Sequence, residues 1–283
     1  DWLQSLGCRV LALTGGEPLV RKSFILDVAR YASDRDFYVY LPTNGVFLDE
    51  DFVDAAAEAG IDVFNLAVDC VEAKPGLPKA FKTIRPQYEM LLEKSRKHQF
   101  LVMFNVNINP HNTDDVRRLT EIAHRDGINV DYHVVEPPLQ EQSHFATPPE
   151  SIGFLPADYE EVDAALDWLG EKYREGYQIA NSPRHFVDAK KFIRGAPLDW
   201  SCRAGINTLV ILPDGRLKPC FEYFNDARDW GTVGHPEFDR ERLTALKKQC
   251  TRRCMSTCNY TTACYRGFDS IFEWVGKYFR VRG

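Results

Sequence analysis

Two sets of residues in this 283-residue chain have the types and spacing to do chemistry. The first is the run Leu13-Thr14-Gly15-Gly16-Glu17-Pro18. Adjacent glycines after an apolar run let the backbone turn sharply and leave its amides and carbonyls bare. A carboxylate beside bare backbone suits an ammonium group, and Glu17 supplies it. The second set is cysteine. Of eight cysteines, six (Cys202, Cys220, Cys250, Cys254, Cys258 and Cys264) fall in the last 82 residues, and four of those lie within 15 residues. Packing does not cluster thiols in this way; shared ligation or disulfides do. The spacings are Cys202-x12-Gly215-x4-Cys220 and Cys250-x3-Cys254-x3-Cys258-x5-Cys264. Zinc knuckles favour Cys-x2-Cys, so the x3 spacings point to an iron–sulfur cluster, with a zinc ribbon or paired disulfides as the alternatives.

These residues need a scaffold, and the first half of the chain reads as repeated βα units. Strands are predicted at 10–15, 37–45, 61–70, 100–109 and 128–137, and helices at 23–36, 49–60, 78–99 and 113–127. The third helix is expected to start near Pro86, and the fourth to have a threonine cap and a terminal glycine. Strands alternating with helices demand an α/β fold with a parallel sheet, doubly wound or curved into a barrel. Glu17, Thr43-Asn44-Gly45 and Asp69 then close neighbouring strands on one side, where such sheets bind ligands. Five prolines between 137 and 157 mark a long loop. Helices are expected at 157–176 and 183–195, a hairpin at 207–221 around Pro213-Asp214-Gly215, and a last helix at 264–279 with an aromatic stripe. Cys70 reads as a small buried core residue.

Composition narrows the function classes. The chain is 44% hydrophobic and 27% charged, ordinary for a globular protein, and no apolar run is long enough to span a membrane. The net charge is −6, which argues against a dedicated nucleic-acid binder. It is unevenly spread: ten Lys/Arg against three Asp/Glu from Arg240 onward give 10 − 3 = +7, leaving −13 before it. The basic end reads as a solvated helical face or as an offset to thiolate-ligated iron. Clustered thiols on a βα scaffold point to a cytoplasmic enzyme.

At Gly15, Gly16, Glu17 and Pro18 the chain resembles the radical S-adenosylmethionine superfamily, whose Gly-Gly-Glu-Pro holds the amino group of that cofactor. Thr43 and Asn44 match the family's Thr-Asn-Gly, and Leu66-Ala67-Val68-Asp69-Cys70 stands where many members read Leu-Ser-Leu-Asp-Gly. Ala67 replaces a serine there, and Asn65, Asn105 or Asn107 is expected to supply the missing polar contact. The resemblance implies a partial (β/α)6 barrel of the TIM type over residues 1–136, a linker with helices over 137–195, and a small cysteine-rich α+β domain over 196–283. Cofactor contacts are expected from Gly15, Gly16, Glu17, Pro18, Thr43, Asn44, Asp69 and Asn107. The family's Cys-x3-Cys-x2-Cys loop is expected before Gly-Gly-Glu-Pro in a longer protein, a degenerate barrel without radical chemistry being the alternative. The cysteine-rich end resembles the SPASM and twitch extensions, which implies one or two auxiliary 4Fe–4S clusters on Cys202, Cys220, Cys250, Cys254, Cys258 and Cys264. The implied activity is generation of a 5′-deoxyadenosyl radical that takes a hydrogen atom from an unactivated carbon. The implied partners are a substrate, a small molecule in preference to a ribosomal peptide, and a reductant such as flavodoxin or ferredoxin. A nucleic-acid substrate is a further alternative.

Overall fold

The computed structural model describes residues 1–136, 153–248, 250 and 254–264. The chain divides into two compact units, one of residues 1–132 with 155–183, the other of residues 133–154 with 184–283.

In the first unit a single helical turn, α1 (Trp2–Ser5), precedes β1 (Val10–Ala12). There follow α2 (Lys22–Ser33), β2 (Tyr38–Thr43), α3 (Glu50–Glu58), β3 (Ile61–Ala67), α4 (Phe81–His98), β4 (Leu101–Ile108), α5 (Thr113–Asp126) and β5 (Asn129–Val134). The strands form one sheet in the order β1-β2-β3-β4-β5, and the pairs from β1 to β4 are parallel. That topology follows from the alternation in the sequence, because a helix must carry the chain back to start each parallel strand. The sheet is the curled half-barrel of a partial TIM-type fold. Both β2 and β4 show strict alternation. Val39, Leu41 and Thr43 are buried, as are Val102, Phe104, Val106 and Ile108, while Tyr40, Pro42, Met103, Asn105 and Asn107 are half-buried. Only one face is therefore dry. The register sets Pro42 beside Asn65 and Asn65 beside Met103, with Ala67 beside Asn105, so the other face carries an amide-rich band.

Two expectations need correction. Helix α4 begins at Phe81, and Pro86 lies inside it. The loop after β3 fixes the earlier start: the amides of Phe81 and Lys82 donate to the carbonyls of Cys70 and Val71. Phe81, Ile84, Tyr88 and Leu91 then form a buried stripe, whose packing outweighs the single helical bond that proline removes. The cap of α5 is Asn112, not Thr113; the Thr113 hydroxyl instead donates to Glu161. Gly127 ends α5 in the left-handed conformation, as expected.

Helix α6 (Tyr159–Arg174) packs on α5 and belongs to the first unit. The second unit contains α7 (Pro183–Ile193), the hairpin of β6 (Val210–Ile211) and β7 (Leu217–Lys218), a second ribbon of β8 (Gly231–Thr232) and β9 (His235–Pro236), α8 (Arg240–Lys248) and α9 (Thr257–Cys264). The expected hairpin is present, with paired strands of two residues each. The proline-rich loop up to residue 152 and the helix expected beyond Cys264 lie outside the described residues. Among the described residues no helix is long and apolar enough to cross a membrane.

Candidate functional site

The first site lies at the C-terminal ends of β1 and β2. After β1 the chain runs through Thr14, Gly15 and Gly16, all exposed, to a 3-10 turn at Pro18–Arg21. Pro18 opens that turn, where its missing N–H costs nothing. Glu17 caps it, accepting from the amide of Leu19 at 3.1 Å. The same carboxylate accepts from the Thr43 hydroxyl at 2.7 Å and from the Asn44 amide at 2.8 Å. Glu17, Thr43 and Asn44 are thus joined directly, and Glu17 is turned toward the strand ends. A carboxylate has about four acceptor positions. Three are used here, which leaves room for one further donor.

The glycines of this region differ in what they answer to. Gly45 has φ +79°, and a Cβ there would meet Ile84 and Leu66 at 3.2 Å, so backbone conformation and packing both require it. Gly15 and Gly16 have no left-handed backbone, and a Cβ on either would meet nothing within 4 Å. Neither conformation nor internal crowding demands glycine at these two positions. Open space before bare backbone is what a closely bound ligand needs.

A second cluster closes β3 and β4. Asp69 accepts from the Asn107 amide at 2.9 Å, with the Lys79 ammonium at 3.7 Å. Asn112 donates to the carbonyls of Asp69 and Asn107 at 2.8 and 2.9 Å. Asp69 and Asn107 therefore meet, with Asp69 bracing the strand ends. On the same face Asn65 approaches the Tyr40 hydroxyl, and the side-chain oxygens of Asn65 and Asn107 are buried without a hydrogen-bond partner. Such atoms are costly unless something donates to them. The open cradle and the orphaned Asn107 oxygen fit a cofactor rich in ammonium and hydroxyl donors. Sequence reasoning missed Tyr40 and Asn112. The run Asn109-Pro110-His111-Asn112 was a turn signal that could have marked the latter. Cys70 is fully buried, its thiol donating to the Leu77 carbonyl at 3.3 Å, and burial pushes that thiol up, with Asp115 and Asp69 adding to the effect. This supports its reading as a core residue.

The late cysteines gather in the second unit. Cys220 ends the hairpin and caps a turn at Phe221–Tyr223, Cys250 follows α8, Cys254 precedes α9, and α9 carries Cys258 and Cys264. None of Cys202, Cys220, Cys250 and Cys254 is in a disulfide. Burial pushes the Cys220 thiol up to about 12, and burial, with Glu136 next, raises that of Cys254. The Glu136 carboxylate accepts from the Met255 amide at 2.9 Å and so holds the turn beside Cys254. The Tyr223 hydroxyl lies 3.3 Å from the sulfur of Cys250. On either side of Cys202, Trp200 and Arg203 each present a buried N–H with no acceptor. A tetrahedral zinc site would set its sulfurs about 3.8 Å apart, from Zn–S bonds of about 2.3 Å. Among the described residues no three His, Cys, Asp or Glu side chains are grouped closely enough to hold one metal ion. Free thiols, with unpaired N–H groups at the sequence neighbours of Cys202, suit an anionic sulfur-rich group.

Comparison with known proteins agrees with the barrel. The description "Radical SAM superfamily" matches residues 1–142. An "AdoMet-dependent heme synthase" of Methanosarcina barkeri is 31% identical over 244 residues, covering 78% of this chain and 65% of that protein. The chain thus spans slightly under two thirds of this relative. Among solved structures, anSMEcpe with bound AdoMet superposes with a TM-score of 0.55 at 17% identity, over 84% of this chain and 66% of that one. SuiB of Streptococcus suis gives 0.62 at 12% identity, over 89% and 60%. At these identities the structures show the fold alone. The family match covers half of the chain and contains the Gly15–Glu17 cradle, so this chain belongs to the radical S-adenosylmethionine superfamily.

Proposed function

We propose that this chain forms the cofactor barrel, with a cysteine-rich auxiliary centre, of an enzyme that takes a hydrogen atom from an unactivated carbon of a small biosynthetic molecule. The observation that carries the reading is the Glu17 carboxylate, held by Thr43 and Asn44 beside two glycines that face open space. When bound, S-adenosylmethionine and a reduced 4Fe–4S cluster supply a hydrogen-abstracting carbon radical, with electrons from a flavodoxin or ferredoxin. Gly15 and Gly16 accept the cofactor's close approach, and Glu17 holds its ammonium with the acceptor position left free. Pro18 stiffens the turn that aims Glu17. Asn107 offers its unpartnered oxygen to a hydroxyl, and Asp69 fixes the strand end from which Asn107 projects. A reactive species formed against this face would need to be sheltered from water, and the curled sheet walls one side of it. Cys202, Cys220, Cys250, Cys254, Cys258 and Cys264 supply more thiolates than one 4Fe–4S cluster needs. The name of the Methanosarcina barkeri relative, which makes haem, supports a small molecule over a peptide.

The test is anaerobic reconstitution of the full encoded protein, reduction, and measurement of 5′-deoxyadenosine formed from S-adenosylmethionine. Wild type is expected to form it. Glu17→Gln removes a charged acceptor, worth about 1.5–3 kcal/mol, and is expected to weaken cofactor affinity by about ten- to a hundredfold. Wild-type affinity in the variant would refute the assignment of Glu17.

A further inference from the structure

The centre proposed above has a neighbour that none of the cysteine spacings reveals. Tyr223 lies on the turn begun by Cys220, its amide donating to the Cys220 carbonyl at 3.2 Å. Its ring is buried, and its hydroxyl reaches a different segment, ending 3.3 Å from the sulfur of Cys250. One residue therefore touches two proposed ligands 30 residues apart in sequence, Cys220 through its backbone amide and Cys250 through its hydroxyl. A metal-bound cysteine sulfur has lost its proton, so in that state the tyrosine must be the donor. A hydrogen bond to a ligating sulfur stabilises the extra negative charge of the reduced cluster more than it stabilises the oxidised one, which raises the reduction potential. Trp200 and Arg203, which flank Cys202 in sequence, each also carry a buried N–H without an acceptor.

We propose that Tyr223 is a positioning and tuning residue of the auxiliary centre: its hydroxyl donates to the Cys250 sulfur and makes the centre easier to reduce by one electron. This inference rests on the auxiliary-centre reading above. It extends that reading by naming a non-ligand residue that shifts the potential at which the centre exchanges electrons.

The test uses the reconstituted holoenzyme in an anaerobic redox titration followed by electron paramagnetic resonance. Signals of the catalytic cluster are set apart by their response to added S-adenosylmethionine. Tyr223→Phe keeps the ring and removes one oxygen. Iron and sulfide content should equal wild type, while the reduction equilibrium of the auxiliary centre shifts about tenfold toward the oxidised form, or about 59 mV for a one-electron couple. A fluorinated tyrosine at position 223, a stronger donor, should shift it the other way, a readout that ring packing alone would not move. An unchanged potential at full iron content in both proteins overturns the inference. Loss of iron from Tyr223→Phe, with no shift in the fluorotyrosine protein, assigns the residue a packing role and also overturns it. A wild-type protein that holds iron only in its catalytic cluster removes the auxiliary centre itself, a failure distinct from the other two.

Discussion

The two units place their chemistry-bearing residues by different means. In the first, Glu17, Thr43, Asn44, Asp69 and Asn107 stand at the ends of strands whose other face is filled by Val39, Leu41, Phe64, Leu66, Phe104 and Val106. Apolar packing positions the site before any ligand arrives. In the second, four strands of two residues each hold little, and the unit carries the buried Cys220, the half-buried Cys202, Cys250 and Cys254, and unpaired donors at Trp200 and Arg203. The contrast separates a site held by its fold from one proposed to hold its fold together.

Removing iron should therefore have the largest effect, and an unequal one. Where a centre is not preformed in the unfolded chain, its binding energy is folding energy. Amide exchange on the reconstituted protein, before and after anaerobic chelation, is expected to show protection collapsing around 202–264 while β2, β3 and β4 stay protected. Equal loss in both units, or none in the second, would break the contrast.

The reciprocal perturbation is Phe64→Ala. Phe64 is fully buried on β3 and packs against Phe100 with ring centroids 4.8 Å apart. Truncating it is expected to cost about 3–5 kcal/mol, seen as a lower denaturant midpoint for the barrel. The iron content of the cysteine centre should be unaffected in the protein that remains folded.

The same difference decides what could be read in the sequence. The βα order, the helix stop at Gly127 and the gathering of Glu17 with Thr43 and Asn44 were legible because they depend on local pattern and on which strand ends share an edge. The start of α4 was not. It is set by carbonyls of Cys70 and Val71 that reach Phe81 and Lys82 across a loop, and this outweighed the usual meaning of Pro86. Asn112 was missed because its side chain serves two other strand ends and leaves the helix it caps without a side-chain bond. Tyr223 carried no signal at all, since a tyrosine three residues past a cysteine is an ordinary aromatic until Cys250 is brought beside it.

A smaller effect tests polar support in the second unit. Asp188 on α7 is buried and accepts from Tyr260 at 2.8 Å, from Lys191 at 3.1 Å and from Arg184 at 3.3 Å. Burial alone would raise its carboxyl, but these three donors together hold it below the usual carboxylate range. Its stabilising contribution is then complete above that range and is lost as pH falls through the depressed native value. Asp188→Asn should cost about 1–3 kcal/mol at neutral pH. The gap between variant and wild type should close on acidification, as followed by urea midpoints across a pH series. A gap that widens in acid would reverse the sign assigned to Asp188.

The smallest expected effect on folding is also the sharpest statement about the barrel mouth. Gly15→Ala adds a methyl group where nothing lies within 4 Å, on a backbone that alanine adopts without strain. The substitution should leave stability unchanged or raise it by about 0.4–1 kcal/mol, because alanine has less freedom to lose from the unfolded chain. If the space before Gly15 is there for a ligand, the same methyl group should nonetheless weaken S-adenosylmethionine binding severalfold in the reconstituted enzyme, measured by equilibrium titration. Gly45→Ala supplies the opposite case. Its methyl group would press on Ile84 and Leu66 at a left-handed position, so it should lose stability first and affinity only through misfolding. Wild-type affinity in Gly15→Ala would show that the glycine pair is a turn and nothing more, and would move the cofactor's ammonium away from this end of the sheet.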